Sequence, residues 1–212
     1  MAFFNHKAEP AGIAAVKALY IDYKRNPRNY LDLESPAYED EDSVTYRRKA
    51  LADVIGLECL GKGAYSTTFA LDDRKVLKIT RREDRGYESF IRFIKSEGRK
   101  FSAFPKVYYA NEWEGDKVYI IERMETISDE NNAERMFLSQ LCRDYMEHDV
   151  KGRNRFLNIS DDFFAAMDAL KKFYSESRNK AKDRSERFCF DLHSENVMVR
   201  LDGTPVITDP FS

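Results

Sequence analysis

Three oxygen-bearing side chains near the end of the sequence have the types and the spacing for chemistry on phosphate groups. Asp191 and Asn196 are five residues apart, and Asp209 follows Asn196 by thirteen. Two short strand-like runs, VMVRL and PVIT, lie between Asn196 and Asp209, and a hairpin of this kind returns Asp209 to the side of Asn196. Mg²⁺ binds carboxylate and amide oxygens and shares them with substrate phosphates. The pattern therefore indicates a magnesium site, with Asp191 placed to orient or accept the proton of an attacking hydroxyl.

A second pattern, earlier in the chain, suits phosphate binding. Gly61 and Gly63 lie in the run LGKGAYS, and Lys78 follows Gly61 by seventeen residues on an apolar strand. Glycines let backbone N–H groups approach phosphate oxygens, and a lysine adds a positive charge. Two glycines often form only a hairpin bend, and a strand lysine often faces solvent. The order of these features, together with the later trio, favours one nucleotide site.

The secondary structure predicted around these residues changes along the chain between helices and strands. Helical spacing of apolar residues predicts helices, alternation predicts strands, and Ser160 is a good N-cap for a late helix. The order predicts an α+β protein of two segregated lobes. Helices are predicted at 10–25, 43–56 and 81–96, in a segment around Leu141, and from Ser160 onward; strands are predicted within 57–80, at 106–110 and at 117–124.

Composition limits the function classes. The chain has 212 residues, 42% of them hydrophobic, and a net charge of −2, which argues against a nucleic-acid-binding protein. Residues 1–5 do not resemble a secretion signal, and no apolar run is long enough to span a bilayer. Cys59, Cys142 and Cys189 are an odd number with no paired spacing, which fits a reducing cytoplasm. The oligomeric state is left open.

The motifs together resemble those of eukaryotic-type protein kinases: a glycine-rich loop, a strand lysine, an Asp-Leu-x-x-x-x-Asn loop and a metal-binding Asp. The runs LGKGAYSTTFAL and FDLHSENVMVRLDGTPVITDPFS look like those of the early serine/threonine protein kinases of T-seven-like short-tailed phages. The motifs span residues 57–212. The resemblance implies a kinase N-lobe at 57–124 and a reduced C-lobe at 125–212 that carries the catalytic loop. Residues 1–56 carry none of the motifs and are predicted to form a helical N-terminal extension.

The resemblance also implies a role for each matching residue. ATP would be the phosphate donor, Mg²⁺ the metal, and the substrates would be proteins of a host bacterium, with transcription and RNA-processing machinery expected. Glu122 and Met124 sit where the adenine-contacting hinge is expected. Either Glu83 or Glu88 would pair with the strand lysine. The remaining implied roles are phosphate covering by Gly61 and Gly63, phosphate pairing by Lys78, catalysis by Asp191, Lys78 and Asn196, and metal binding by Asn196 and Asp209.

Several positions depart from the protein-kinase pattern. Ser66 replaces the third glycine, and Cys189-Phe190 replaces the usual His-Arg pair before the catalytic Asp. His193 stands where protein kinases have Lys, and Asp-x-His-x-x-Asn is typical of aminoglycoside and choline kinases. His193 either contacts the transferring phosphoryl group or braces the loop. These departures leave two alternatives, a small-molecule kinase of the aminoglycoside type and a pseudokinase that binds a partner without turnover.

The sequence stops three residues after Asp209, at Ser212. Protein kinases continue with an activation segment and substrate-binding helices, so we expect a truncated chain or an unusually compact enzyme. The position of Ser212 near a bound γ-phosphate makes it a candidate autophosphorylation site, where added negative charge would repel the nucleotide. The alternative is an ordinary terminal serine.

Overall fold

The structure is a computed structural model that describes residues 10, 12–31, 43–127, 138, 140–142, 144, 159–181, 188–193 and 196–212. Within these ranges the protein is α+β, as predicted, with one five-stranded antiparallel sheet, a separate two-stranded hairpin and several helices. This set of strands and helices is compatible with a kinase-like fold. None of the helices in the described ranges is both long and apolar enough to cross a lipid bilayer.

The helices are α1 (Ile13–Arg25), α2 (Ser43–Ile55), α3 (Arg85–Ser96) and α4 (Asp161–Lys180). The strands are β1 (Cys59–Lys62), β2 (Ser66–Ala70), β3 (Lys75–Thr80), β4 (Val107–Trp113), β5 (Asp116–Glu122), β6 (Val197–Val199) and β7 (Pro205–Ile207). The large sheet has the order β1-β2-β3-β5-β4, and β6 pairs with β7.

The chain divides into two compact units. Unit 1 comprises Met1–Glu83 and Tyr108–Arg123, and unit 2 comprises Asp84–Val107 and Met124–Ser212. Helix α3 therefore belongs to unit 2, although strands of unit 1 flank it in sequence. The domain boundaries expected from the sequence, at 56 and 124, stay a prediction, as does the arrangement of two lobes.

In unit 1, the first two helices cover one face of the sheet. Side chains of a strand alternate between its faces, so Leu77 and Ile79 of β3 face one way and Lys78 the other. Leu77 and Ile79 share a core with α1 and α2, which contribute Ile13 and Ile55 among others. The remaining members of this core on the strands are Phe69, Tyr109, Trp113, Val118 and Ile120. Residues 1–56 thus include helices that cover the sheet face opposite Lys78.

In unit 2, aromatic side chains hold α3, α4 and the end of the chain together. The rings of Phe93 on α3 and Phe173 on α4 have centroids 5.1 Å apart. Phe211 lies 4.6 Å from Phe188 and 6.3 Å from Phe90, centroid to centroid, and is 2% exposed. This cluster fixes the segment that follows Asp209.

The observed ends of the elements differ from the predicted ones where caps and turns decide them. Helix α3, predicted from residue 81, begins at Arg85, because the Asp84 side chain caps it by accepting a hydrogen bond from the Tyr87 amide at 3.0 Å. The turn between β4 and β5, predicted at Gly115-Asp116, is Glu114-Gly115, with φ of 49° and 86°. Most of the helix predicted around Leu141 lies outside the described residues.

Candidate active site

The predicted site residues fall into both units, and each group is described within its own unit. Gly61, Gly63, Lys78 and Glu122 lie in unit 1. Unit 2 contains Met124 and the trio Asp191, Asn196 and Asp209. The convergence of Lys78 with the trio stays a prediction.

The glycine-rich run forms a tight connection between β1 and β2. Gly61 is in β1, paired with Thr68, and no neighbour lies within 4 Å of the position where its side chain would begin. The Gly63 amide donates to the Ser66 carbonyl at 2.9 Å, which closes the bend. Open space beside Gly61 is what a backbone needs to approach a phosphate closely.

Lys78 lies in the middle of the sheet. It is 9% exposed, and its register neighbours are Thr68 on β2 and Tyr119 on β5. Register partners of neighbouring strands project on the same face. This face is opposite the one covered by α1 and α2. An anionic partner lowers the cost of burying an ammonium group, and phosphate binding by Lys78 stays a prediction.

The segment predicted as a hinge leaves the sheet after β5. Glu122 ends β5 opposite Lys75. Met124 is half-buried, and the following residue, Glu125, exchanges two backbone hydrogen bonds with Val199 at 2.8 and 2.9 Å. A role in adenine binding stays a prediction for both residues.

Two carboxylates were predicted as alternative partners of the strand lysine. Glu83 is exposed and lies just before α3. Glu88 is in the first turn of α3, 3.9 Å from Arg92. The choice between them stays open.

The Asn196 side chain bonds to the backbone of the loop that contains Asp191. The Asn196 Nδ2 atom donates to the Asp191 carbonyl oxygen at 2.7 Å. A carbonyl oxygen can only accept, so the atom facing it must be the amide nitrogen and not Oδ1. Oδ1 is therefore the Asn196 side-chain atom that can coordinate a cation.

His193 braces Asn196 from within the same loop. Its Nε2 atom lies 3.1 Å from Asn196 Nδ2. Since Nδ2 is a donor, Nε2 is the acceptor in this contact. Of the two roles considered for His193, this contact favours bracing of the loop.

The β6–β7 hairpin returns the chain to Asn196. The Thr208 amide and hydroxyl donate to the Asn196 carbonyl at 2.9 and 3.1 Å, so Asp209 follows directly on a residue bonded to Asn196. The Asp191 amide donates to the Pro210 carbonyl at 2.8 Å. The three residues Asp191, Asn196 and Asp209 thus belong to one hydrogen-bonded constellation in unit 2.

Residues that the sequence reasoning missed hold this constellation in place. Arg200, after β6, donates from Nη2 to the Phe104 carbonyl at 3.0 Å and from Nη1 to the Ser102 carbonyl. The Ile207 amide donates to the Ala103 carbonyl at 2.9 Å. The β6–β7 hairpin is therefore tied to the segment that follows α3. A lone arginine in a hairpin gives no sequence signal for such a role.

The donor set of the trio fits a magnesium ion shared with phosphates. In the described part of the chain, no group of three or more His, Cys, Asp or Glu side chains is placed to hold a metal. An amide oxygen of Asn196 and a carboxylate of Asp209 are two hard ligands, and Mg²⁺ commonly completes its shell with water and phosphate oxygens. A magnesium site formed by these two side chains stays a prediction.

Comparison with known proteins adds little. No known family profile matches the sequence, and no curated protein matches it. A structure of WbdD, described as a co-crystal with the kinase inhibitor LY294002, is similar at a TM-score of 0.39 and 15% identity. The match covers 70% of this chain and 31% of that one. A likeness of this degree identifies neither a family nor an activity.

Proposed function

We propose that this protein is an ATP- and magnesium-dependent phosphotransferase that acts on serine and threonine hydroxyls of proteins. The observation that carries the proposal is the constellation in unit 2. The Asn196 amide is bonded to the Asp191 carbonyl, and the residue before Asp209 is bonded to the Asn196 carbonyl. These bonds support the proposal that the Asp191 carboxylate serves the acceptor hydroxyl while Asn196 and Asp209 supply oxygen ligands for a metal.

In the proposed reaction the phosphoryl group passes directly from ATP to the acceptor, and the protein forms no covalent bond to it. The acceptor oxygen forms a bond to the γ-phosphorus of ATP, the bond from this phosphorus to the β–γ bridging oxygen breaks, and ADP leaves. Asp191 orients the hydroxyl and takes its proton. Lys78 and the backbone around Gly61 and Gly63 offset phosphate charge. Mg²⁺, bound by Asn196 and Asp209, would neutralise charge on the β- and γ-phosphates.

The identity of the substrates rests on the motif resemblance alone. Similarity to the phage kinases supports host-cell proteins as substrates, in particular transcription and RNA-processing proteins, modified in the host cytoplasm during takeover. Ser212 is an acceptor candidate within this chain because it is exposed and three residues beyond Asp209. Mass spectrometry after incubation with Mg-ATP tests this site, and an unmodified Ser212 in an active preparation would remove it.

Incubation with γ-labelled ATP and Mg²⁺ tests the function and separates the alternatives. One arm contains a bacterial extract and the other a panel of amino sugars. We expect label on serine or threonine of proteins, and about a hundredfold less with Asp191→Ala. Label only on amino sugars would establish a small-molecule kinase. ATP binding with no transfer in either arm would establish a pseudokinase.

A further inference from the structure

A basic pocket in unit 2 lies outside the phosphotransfer scheme proposed above, apart from Glu88, which lines the pocket and is one of the two candidate partners of Lys78. One face of α3 and the last turn of α4 surround a space of about 440 Å³. Arg85 and Arg92 of α3 and Lys180 of α4 line it, together with Glu88. Three positive charges against one negative charge leave the lining with a net charge of +2. A pocket of this charge suits a dianion.

The helical period explains why these groups share one space. Arg85, Ser89 and Arg92 are four and then three residues apart, so they project from the same side of α3. Ser177 and Lys180 lie three residues apart on the facing turn of α4. Ser89 is 8% exposed. The pocket therefore offers hydroxyl donors as well as guanidinium groups, which is the donor set that binds phosphate oxygens well.

Two of the cations that line the pocket, Arg92 and Lys180, form ion pairs that are exposed to solvent. Arg92 Nη2 lies 3.9 Å from Glu88 Oε1, and Lys180 Nζ lies 3.4 Å from Glu176 Oε2. The Arg92 and Lys180 side chains are 61% and 78% exposed, so water screens both pairs strongly. Both cations can turn toward an incoming anion without breaking a buried contact.

Ser212 does not line this pocket, but its backbone contacts the sequence neighbours of two residues that do. Its backbone exchanges two hydrogen bonds with Cys189, at 2.7 and 3.0 Å, and Cys189 follows Phe188, which lines the pocket. Its amide nitrogen would lie 2.8 Å from a Cβ atom placed on Gly86, and Gly86 follows Arg85. A phosphoryl group on Ser212 would thus be carried by a residue whose backbone contacts Cys189 and Gly86. These two residues directly follow the lining residues Phe188 and Arg85.

We propose that this pocket binds a phosphoryl group carried on a serine side chain, with Ser212 of this chain as the nearest source. Only the source within the chain rests on the proposed phosphotransfer, in which the Ser212 oxygen would bond to the γ-phosphorus, ADP would leave and the hydroxyl proton would pass to a carboxylate. A phosphoserine on another protein has the same chemistry and is the second source. The pocket itself does not depend on the enzyme's activity.

Titration of the unphosphorylated protein with a phosphoserine peptide of the sequence around Ser212 tests the pocket. Calorimetry is expected to show binding of the phosphorylated peptide and none of the unphosphorylated one. The double variant Arg85→Gln/Arg92→Gln, and separately Lys180→Gln, should each weaken binding by about tenfold or more. The matched control Lys172→Gln/Arg178→Gln removes two cations of α4 that do not line the pocket, and should leave affinity unchanged.

Each remaining outcome has a defined meaning. No binding of the peptide, or equal loss in pocket and control variants, would overturn the proposal. Equal affinity for inorganic phosphate and for the peptide would assign the pocket to a free anion and overturn its assignment to a side chain. The inactive Asp191→Ala variant should bind the peptide normally, which separates failure of the pocket from failure of the phosphotransferase.

A second measurement identifies the source within the chain. If Ser212 becomes phosphorylated by Mg-ATP, its phosphate should be removed by an added phosphatase more slowly than from the free peptide. The Arg85→Gln/Arg92→Gln variant should lose this protection, while Lys172→Gln/Arg178→Gln keeps it. Protection that persists in the pocket variant would refute docking within the chain.

Discussion

A methyl group on the α-carbon of Gly86 would lie 2.5 Å from the carbonyl oxygen of Phe211 and 2.8 Å from the amide nitrogen of Ser212. Separations this short do not occur between real atoms, and backbone yields less easily than side chains. Helix α3 and the segment after Asp209 therefore touch at a position where only glycine fits. Through this contact the first turn of α3 packs against residues 211 and 212, which follow the candidate metal ligand Asp209 in the chain.

Substitution Gly86→Ala is expected to destabilise the protein although alanine is the better helix former. Helix propensity favours alanine by about 1 kcal/mol. Overpacking against Phe211 and Ser212 costs roughly 1–3 kcal/mol, so a net loss in the free energy of unfolding is expected in urea denaturation. Lys95→Ala, an exposed position of the same helix, should change it by less than about 0.5 kcal/mol. A gain with Gly86→Ala would show that the two segments separate freely.

The amide nitrogen of Asn196 gives a second prediction. Asn196→Asp keeps an oxygen for a cation but replaces the donor that faces the Asp191 carbonyl with an acceptor. We expect phosphotransfer to fall by about a hundredfold, with the fold retained by circular dichroism. Asn111→Asp, at a partly exposed site on β4, is the control. Full activity in Asn196→Asp would show that the contact with Asp191 has no part in positioning.

Lys78 and Lys75 provide a matched pair on one strand. Lys78 is 9% exposed, whereas the Lys75 side chain is 41% exposed and pairs with Asp72 at 3.5 Å. Lys78→Met retains the bulk of the side chain and removes its charge, so activity should fall at least about a hundredfold without loss of stability. Lys75→Met should leave activity within about twofold, because exposed ion pairs contribute little. Equal effects would remove Lys78 from the mechanism.

Tyr20 should make the stability of unit 1 depend on alkaline pH. Burial, and then its hydrogen bond to Asp116, raise the pKa of Tyr20 well above its usual range. The neutral phenol is thus favoured in the folded state, and its contribution is complete below the unfolded pKa of about 10 and is lost as the pH rises above it. Between about pH 9 and 11, the unfolding free energy should fall more steeply in the native protein than in Tyr20→Phe.

A surface tyrosine controls for general alkaline effects. Tyr65 is 51% exposed, so Tyr65→Phe should follow the native curve. At neutral pH, Tyr20→Phe should be less stable by about 1 kcal/mol, the value of one hydrogen bond. Parallel curves for Tyr20→Phe and the native protein would contradict the assigned protonation state.

The sequence pattern predicted the α+β class and most described elements, because alternation and helical spacing are local properties. The hairpin β6–β7 is an example: the runs VMVRL and PVIT predict strands, and strands form within them at Val197–Val199 and Pro205–Ile207. Helix α4 begins after Ser160, whose hydroxyl accepts from the Phe163 amide at 3.3 Å, as its N-cap type indicated.

Contacts between distant parts of the chain could not be predicted in the same way. The grouping of α3 with unit 2 depends on rings such as Phe93 and Phe173, which are eighty residues apart. The need for glycine at position 86 depends on the backbone of Phe211, and no local pattern encodes it. Asp191 and Asn196 were foreseen as neighbours because they are close in sequence, whereas the anchoring by Arg200 was not.

The helices that cover the sheet have a practical consequence for anyone who shortens this protein. A chain beginning at residue 57 would lack α1 and α2 and would leave Phe69, Leu77 and Ile79, each at most 6% exposed in the whole protein, facing water. Contiguous apolar surface of this kind promotes self-association. Such a fragment is expected to precipitate on expression even though every motif residue is retained.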